Sequence, residues 1–178
     1  ANTGRDRKQP PPRREAQTGT CRDPVRTAGL RLKNGLEDTL RETLNKVGVI
    51  TGSPLGFAHF FKKDQENIAL TAWSAETERQ FRHLIGKYTH NPVSIAGVWA
   101  DAIRQKKTII HNDFESVEGK KGYPPNHPQI IREIVVPVIR EGAVVAALAI
   151  SNKPKPYSSH DVFLTEFLAD VVWEIAES

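Results

Sequence analysis

Apolar positions recur at two different spacings along this chain, and the points where the spacing changes mark out its elements. Leu32, Leu36, Leu40, Leu44 and Val47 follow one another at three or four residues, with Glu37, Asp38, Arg41 and Glu42 between them. That is the apolar stripe of one α-helix over residues 32–47, closed by Gly48. "LGFAHFFKK" (55–63) and "NIALTAWS" (67–74) are β-rich runs separated by the polar "DQE", which predicts a hairpin. A polar helical stretch follows over 75–84. In "NPVSIAGVWADAIRQKK", Ile95, Val98, Trp99, Ala102 and Ile103 share one helical face opposite Asp101, Arg104 and Gln105, which predicts a helix over 94–105. "TIIH" reads as a short strand, and the Gly, Pro and Lys-rich loop from Asn112 to about Pro128 exceeds the usual connection length, a property of loops that cover sites.

The pattern then changes again. "QIIREIVVPVIREGAVVAALAISNK" is two strands about a Glu-Gly turn, apolar at nearly every position, so both faces of their sheet must be covered. Helices over 32–47, 94–105 and 159–176 are available to cover them. Ser158 stands three residues before Asp161, a capping-box arrangement at the start of the last helix. The stripe of that helix (Val162, Phe163, Phe167, Leu168, Val171, Val172, Ile175) is wider than one packing face needs, so part of it is assigned to a partner, a homodimer through the terminal helices.

Charge divides the 178 residues into two parts. Residues 1–33 hold nine Lys or Arg against three acids, a net +6, and the remainder carries −2, so the basicity belongs to the N-terminal segment. Residues 1–31, with "QPPPRREAQTGTCRDP", read as a disordered or linker arm, and 32–178 as one domain. A folded nucleic-acid face would carry its own clustered cations, so nucleic acid is disfavoured as a partner. The single cysteine, Cys21, lies in the arm; it leaves the domain no intrachain disulfide, Cys-rich zinc site or thiol nucleophile, and fits a reducing cytosol. No run approaches the length of a membrane span, and no secretory signal is visible. Methionine is absent even at position 1, so the sequence reads as a piece of something longer.

At the end of the second long strand stand Asn152 and Lys153, then Tyr157 and, three residues between, Asp161. This resembles the Asn-Lys, Phe, three residues, Asp-Glu motif of the cyclic-nucleotide-binding branch of the GAF family, with Tyr157 for Phe and Val162 in place of the final acid. A pairing of Lys153 with Asp161, partly shielded, is a structural brace holding helix to sheet. The wider resemblance covers residues 34–176, through "TGSPLGFAHFF", "AWSAET", "AGVWADAIRQKKTIIHNDF", "KKGYPPNHP", "REIVVPVIREG", "SNKP" and "LADVVWEIAE", and is to the GAF branch of sensor histidine kinases and diguanylate cyclases. It implies an α/β (α+β), PAS-like fold, a six-stranded antiparallel sheet with helices on both faces. It also implies a non-catalytic regulatory sensor that relays the binding of a small ligand to an output domain.

A fold of that kind places a pocket between the middle helix and the sheet, walled by Tyr88, Trp99, Trp73 and the 112–128 loop. Trp73 is read as core, whereas Trp99 is either core or pocket wall. His111, Asn112 and Asp113 either recognise a polar, nucleotide-like ligand or fix the loop through its own backbone. His127 and Arg132 converge on the same region, Arg132 as a clamp for carboxylate or phosphate or in a salt bridge to Glu133 or Asp113. The spacing of His111, Asp113 and His127 does not match known metal sites. No nucleophile elbow, phosphate loop or zinc-protease helix is present. The cofactor is left unassigned, with histidine-held haem an open alternative, and a ligand-free dimeric relay scaffold stands as the second reading.

Overall fold

The computed structural model describes residues 24–86, 92–120 and 124–178, with side chains from residue 35 onward. The first helix, α1 (Pro24–Thr51), begins eight residues before the expected start, so residues 24–31 of the anticipated arm are helical. Residues 1–23 lie outside the described residues, as does Tyr88. A hairpin follows, β1 (Leu55–Phe61) and β2 (Ile68–Trp73), then α2 (Ala75–Phe81). Next come α3 (Asp101–Gln105), β3 (Ile109–His111), β4 (Glu133–Arg140), β5 (Ala143–Ser151) and α4 (Ser159–Glu177).

The five strands form one antiparallel sheet in the order β2-β1-β5-β4-β3. The expected count of six is therefore corrected to five among the described residues. Among the described residues between α2 and α3 are turns and two single 3₁₀ turns, Val93–Ile95 and Val98–Ala100. The same stretch corrects the helix expected over 94–105. Ala96 and Gly97 take extended backbone, which interrupts the helix and leaves only its last five residues α-helical. Ile95 consequently faces solvent, while Val98, Trp99, Ala102 and Ile103 remain buried.

β5 lies at the middle of the sheet, paired with β1 on one side and β4 on the other, and buries its last six residues on both faces. One face carries Ala58, Phe60, Ile134, Val136, Leu148 and Ile150 against Leu40, Leu44 and Val47 of α1 and Leu168, Ala169 and Val172 of α4. The other carries Val135, Val144, Ala147 and Ala149 beneath Val93, Trp99, Ala100, Ala102 and Ile103. The continuous apolar runs of β4 and β5 follow from this double cover.

Amide side chains close the sheet where strands end. Gln65, with φ 59°, accepts from the Val144 N–H (2.7 Å) and donates to the Val144 carbonyl (3.1 Å), extending the β1–β5 ladder beyond the hairpin. Asn152, with φ 67°, does the same at the opposite end, donating to the Gln129 carbonyl and accepting from the Ile131 N–H. Asparagine is among the few residues that tolerate this left-handed backbone.

α1 ends in a Schellman motif. Ser53 N–H donates to Gly48 O (2.9 Å) and Gly52 N–H to Val49 O (3.4 Å), with Gly52 at φ 68°. Gly52→Ala is expected to lower stability by about 1–2 kcal/mol, because alanine must enter the left-handed region. Gly35, in the helix interior with open space where a Cβ would stand, gives the opposite sign: Gly35→Ala should stabilise by about 0.5–1 kcal/mol. Urea unfolding of the two variants measures both.

Candidate functional site

Strand alternation places a row of chemically distinctive side chains on the face covered by residues 93–120 and 124–128. Ile109, Val135, Ala149, Phe57 and Trp73 lie in register across all five strands. One neighbouring row holds His111, Glu133, Ser151 and Leu55, and the other holds Ala147, His59 and Thr71. Small residues on β5 leave the flanking aromatics to fill the space above it.

His59 sits at the centre of this face, 1% exposed. Its Nδ1 is hydrogen-bonded to Thr71 Oγ1 at 2.9 Å across the β1–β2 ladder. Three rings surround the imidazole: Phe57 (centroids 4.5 Å), Trp99 (4.9 Å) and Trp73 (6.1 Å). The aromatic chain continues outward, Trp73 stacking on Phe81 of α2 and Phe81 meeting His127 edge-on at 4.8 Å. Burial pushes the His127 imidazole below its ordinary pKa, against a hydrogen bond from Nδ1 to the Pro128 carbonyl and with a contribution from nearby His83, which favours its neutral form.

At the β3 edge, His111 Nδ1 donates to Glu133 Oε1 at 3.0 Å, with Glu133 almost wholly buried. Phe114, also buried, packs edge-on to His111. Among the residues expected from sequence, this face therefore gathers Trp99, His127 and His111, and Trp73 joins them half-buried. His59 is absent from the sequence-based set. Its signal is that of one polar residue in the period-two stripe Leu55, Phe57, His59, Phe61.

The other candidates lie elsewhere. Asn112 turns away to clamp the Tyr157 backbone, donating to its carbonyl (2.9 Å) and accepting from its N–H (2.6 Å). Arg132 donates from Nη1 to the carbonyls of Lys153 (2.7 Å) and Pro154 (2.8 Å) and reaches that of Asn112 with Nε, so its partners are backbone oxygens and neither expected acid pairs with it. Asp113 is exposed. No group of three or more potential metal ligands occurs among the described residues.

Those bonds belong to a second constellation, at the end of β5. Lys153 Nζ meets Asp161 Oδ1 at 2.5 Å, the two side chains 25% and 7% exposed. Asp161 Oδ2 accepts from the Ser158 N–H and hydroxyl, and Ser158 Oγ accepts from the Asp161 N–H, completing the capping box of α4. Burial works to raise the Asp161 pKa, but the Lys153 ammonium and the Ser158 donors outweigh it and hold the carboxyl below its usual range. Tyr157 hydroxyl bonds Ser53 Oγ at 2.8 Å, and burial raises its pKa despite that bond and the Lys153 N–H. Of the residues expected as a brace, Lys153 is bonded to both Asp161 and Tyr157, with Ser53, Asn112 and Arg132 joining them, whereas the Asn152 side chain holds Gln129 and Ile131. Beside them, an open groove of about 440 Å³ is lined by Leu44, Gly48, Val49, Gly52, Pro54 and Pro154. The polar residues at its rim already have partners, Asn45 bonding the Ala75 N–H and Glu76 pairing with Arg79.

Comparison with known proteins agrees with this geometry. The family model described as GAF domain matches residues 33–177. The methyl sulfide methyltransferase-associated sensor of Methanosarcina acetivorans is 32% identical over 151 residues, 84% of this chain, and the match spans only 15% of that protein's length. The GAF domain of a phosphoenolpyruvate-protein phosphotransferase from Coxiella burnetii superposes with a TM-score of 0.63 at 12% identity, over 86% of this chain and 88% of that one. Free methionine-R-sulfoxide reductase from Neisseria meningitidis, in complex with its substrate, superposes with a TM-score of 0.58 at 15% identity, over 80% and 78% of the two chains.

Because the folded Asp161 pKa lies below the unfolded value near 4, its contribution is fully present above that pH and is lost as pH falls through the folded value. Asp161→Asn should therefore cost about 1–3 kcal/mol at pH 7. The deficit relative to the parent protein should shrink below about pH 4. Chemical unfolding at a series of pH values reads both quantities; a deficit that stays constant down to pH 2 contradicts the ionic part of the argument.

Proposed function

Because this chain belongs to the GAF domain family, we propose that it is a non-catalytic regulatory sensor module. In this reading it binds a small molecule on the sheet face under residues 93–120 and 124–128 and relays that event through α1 and α4 to an output domain, such as a histidine kinase or diguanylate cyclase, in a cytosolic signalling protein. The observation that carries the reading is the disposition of the two sheet faces. β1 and β5 present His59, Phe57 and Ala149 to the cover, and Phe60, Leu148 and Ile150 to the terminal helices. A ligand that moves the first face must act on strands that the helices also touch. Trp99, His127 and His111 from the original set, with His59 added, are the side chains assigned to the ligand.

Support for the module, as against an enzyme, comes from the absence of a cysteine in residues 34–178, although one neighbour of this fold is a reductase. The relative's name, a sensor, is in keeping with the regulatory role. No described helix is long and apolar enough to cross a membrane.

The second reading, a dimeric relay scaffold without a ligand, draws on Phe163 and Phe167. These lie one turn apart on α4 and are 69% and 59% exposed. The two readings are compatible in one molecule and separable by experiment.

Native mass spectrometry of freshly purified protein is expected to show a retained small molecule, and its absorption spectrum to show whether that molecule is haem. His59→Gln should weaken retention at least tenfold while thermal shift confirms a folded domain. Unbound protein throughout, with no thermal shift across cyclic nucleotides, amino acids and cell extract, overturns the sensor reading. In sedimentation at several concentrations the parent should be dimeric, and the double variant Phe163→Glu, Phe167→Glu monomeric. A monomeric parent removes the scaffold reading.

A further inference from the structure

We propose that the polar junction at residues 152–161 is a relay, transmitting a change in the cover formed by residues 112–120 and 124–132 on one face of the sheet to the roots of both terminal helices on the other. The inference rests on the sensor reading only for its purpose, since the relay can be tested without a ligand. Three kinds of contact carry it, and they form one continuous path.

On the cover side, Phe114 N–H donates to the Ile131 carbonyl (3.0 Å), the Ile131 N–H donates to Asn152 Oδ1 (2.8 Å), and Asn152 N–H donates to the Arg132 carbonyl (2.9 Å). In the middle, the Asn112 carboxamide takes both backbone groups of Tyr157, and Arg132 Nη1 takes the carbonyls of Lys153 and Pro154. On the helix side, the same Tyr157 reaches Ser53 just beyond α1, and the same Lys153 reaches Asp161 in the first turn of α4. The stem of Lys153 also passes over Gly52, the residue that terminates α1.

Tyr157 and Lys153 therefore each hold the cover with the backbone and a helix with the side chain. Moving Asn112 by a hydrogen-bond length cannot leave Tyr157 in place, because two short bonds fix the N–H and the carbonyl of that residue relative to the carboxamide. Tyr157 and Asp161 are both buried, so on the helix side a broken link is poorly replaced by water, and that half of the junction passes displacement on in preference to absorbing it. A brace that only held α4 to the sheet would need Lys153 and Asp161; it would not need Asn112, Arg132 and the Tyr157 hydroxyl on the same two residues.

Hydrogen exchange on the full chain, read by mass spectrometry, tests this. Phe114→Ala loosens the cover at a buried residue outside the junction. It should raise exchange about tenfold over residues 50–54 and 158–163, and leave the β1–β2 turn at 62–67 unchanged. In an Asn112→Ala background those amides should already exchange faster, and Phe114→Ala should add less than about twofold. A rise confined to 112–132, a rise shared equally by 62–67, or equal increments in both backgrounds overturns the relay. If Asn112→Ala removes slow exchange from β5, Tyr157→Phe replaces it. That variant keeps the carboxamide clamp and cuts the hydroxyl link, so the response at 50–54 should vanish while that at 158–163 persists, and an unchanged response at 50–54 refutes the path through Ser53.

Discussion

A single ammonium-carboxylate contact organises one end of this molecule. Lys153 and Asp161 are mostly shielded from water, and such a pair is sustained only when its remaining polar valences are met. Here they are. The second oxygen of Asp161 accepts the Ser158 donors, and the backbone carbonyls around Lys153 are taken by Arg132. The interaction is less a store of stability than a statement of register, fixing where α4 begins relative to the end of β5. An apolar pair of equal volume would fill the same space without specifying the angle.

The rest of the architecture follows from a sheet that must be covered twice. β5 is buried on both sides, so every backbone group at its ends has to be satisfied by protein. Carboxamides serve that need at both ends, Gln65 on Val144 and Asn152 on the segment before β4, with Asn112 adding a third clamp on Tyr157. Each of these side chains imitates the peptide unit of a neighbouring strand. The imitation keeps the ladder intact where the chain must turn.

Much of this was legible in the residues themselves. The double-sided burial of β4 and β5 was visible because apolar residues filled both parities of the strand, and the brace because lysine, aspartate and the cap share one short stretch. The middle helix was misread because Ile95 fits the helical spacing, while the effect of Gly97 on backbone direction carries no periodic signature. The sequence leaves Asn112 either to a ligand or to fixing its loop, and Arg132 either to an anionic ligand or to an acidic neighbour, and only the geometry shows their donors on backbone carbonyls. His59 escaped notice for a related reason, since one histidine on an apolar strand looks like an ordinary tolerated polar residue until Thr71 and three aromatic rings are seen around it.

α1 has 28 residues and a length of about 42 Å, whereas the nine residues of β5 extend for about 30 Å. Its C-terminal end is pinned at Gly52 and Ser53, and the side chains it packs on the sheet and α4 run from Leu36 to Val47. The helix is then a lever with its fulcrum at the pinned end. A swing of about 5° there moves the far tip sideways by about 3.7 Å, more than a third of the roughly 10 Å diameter of a helix.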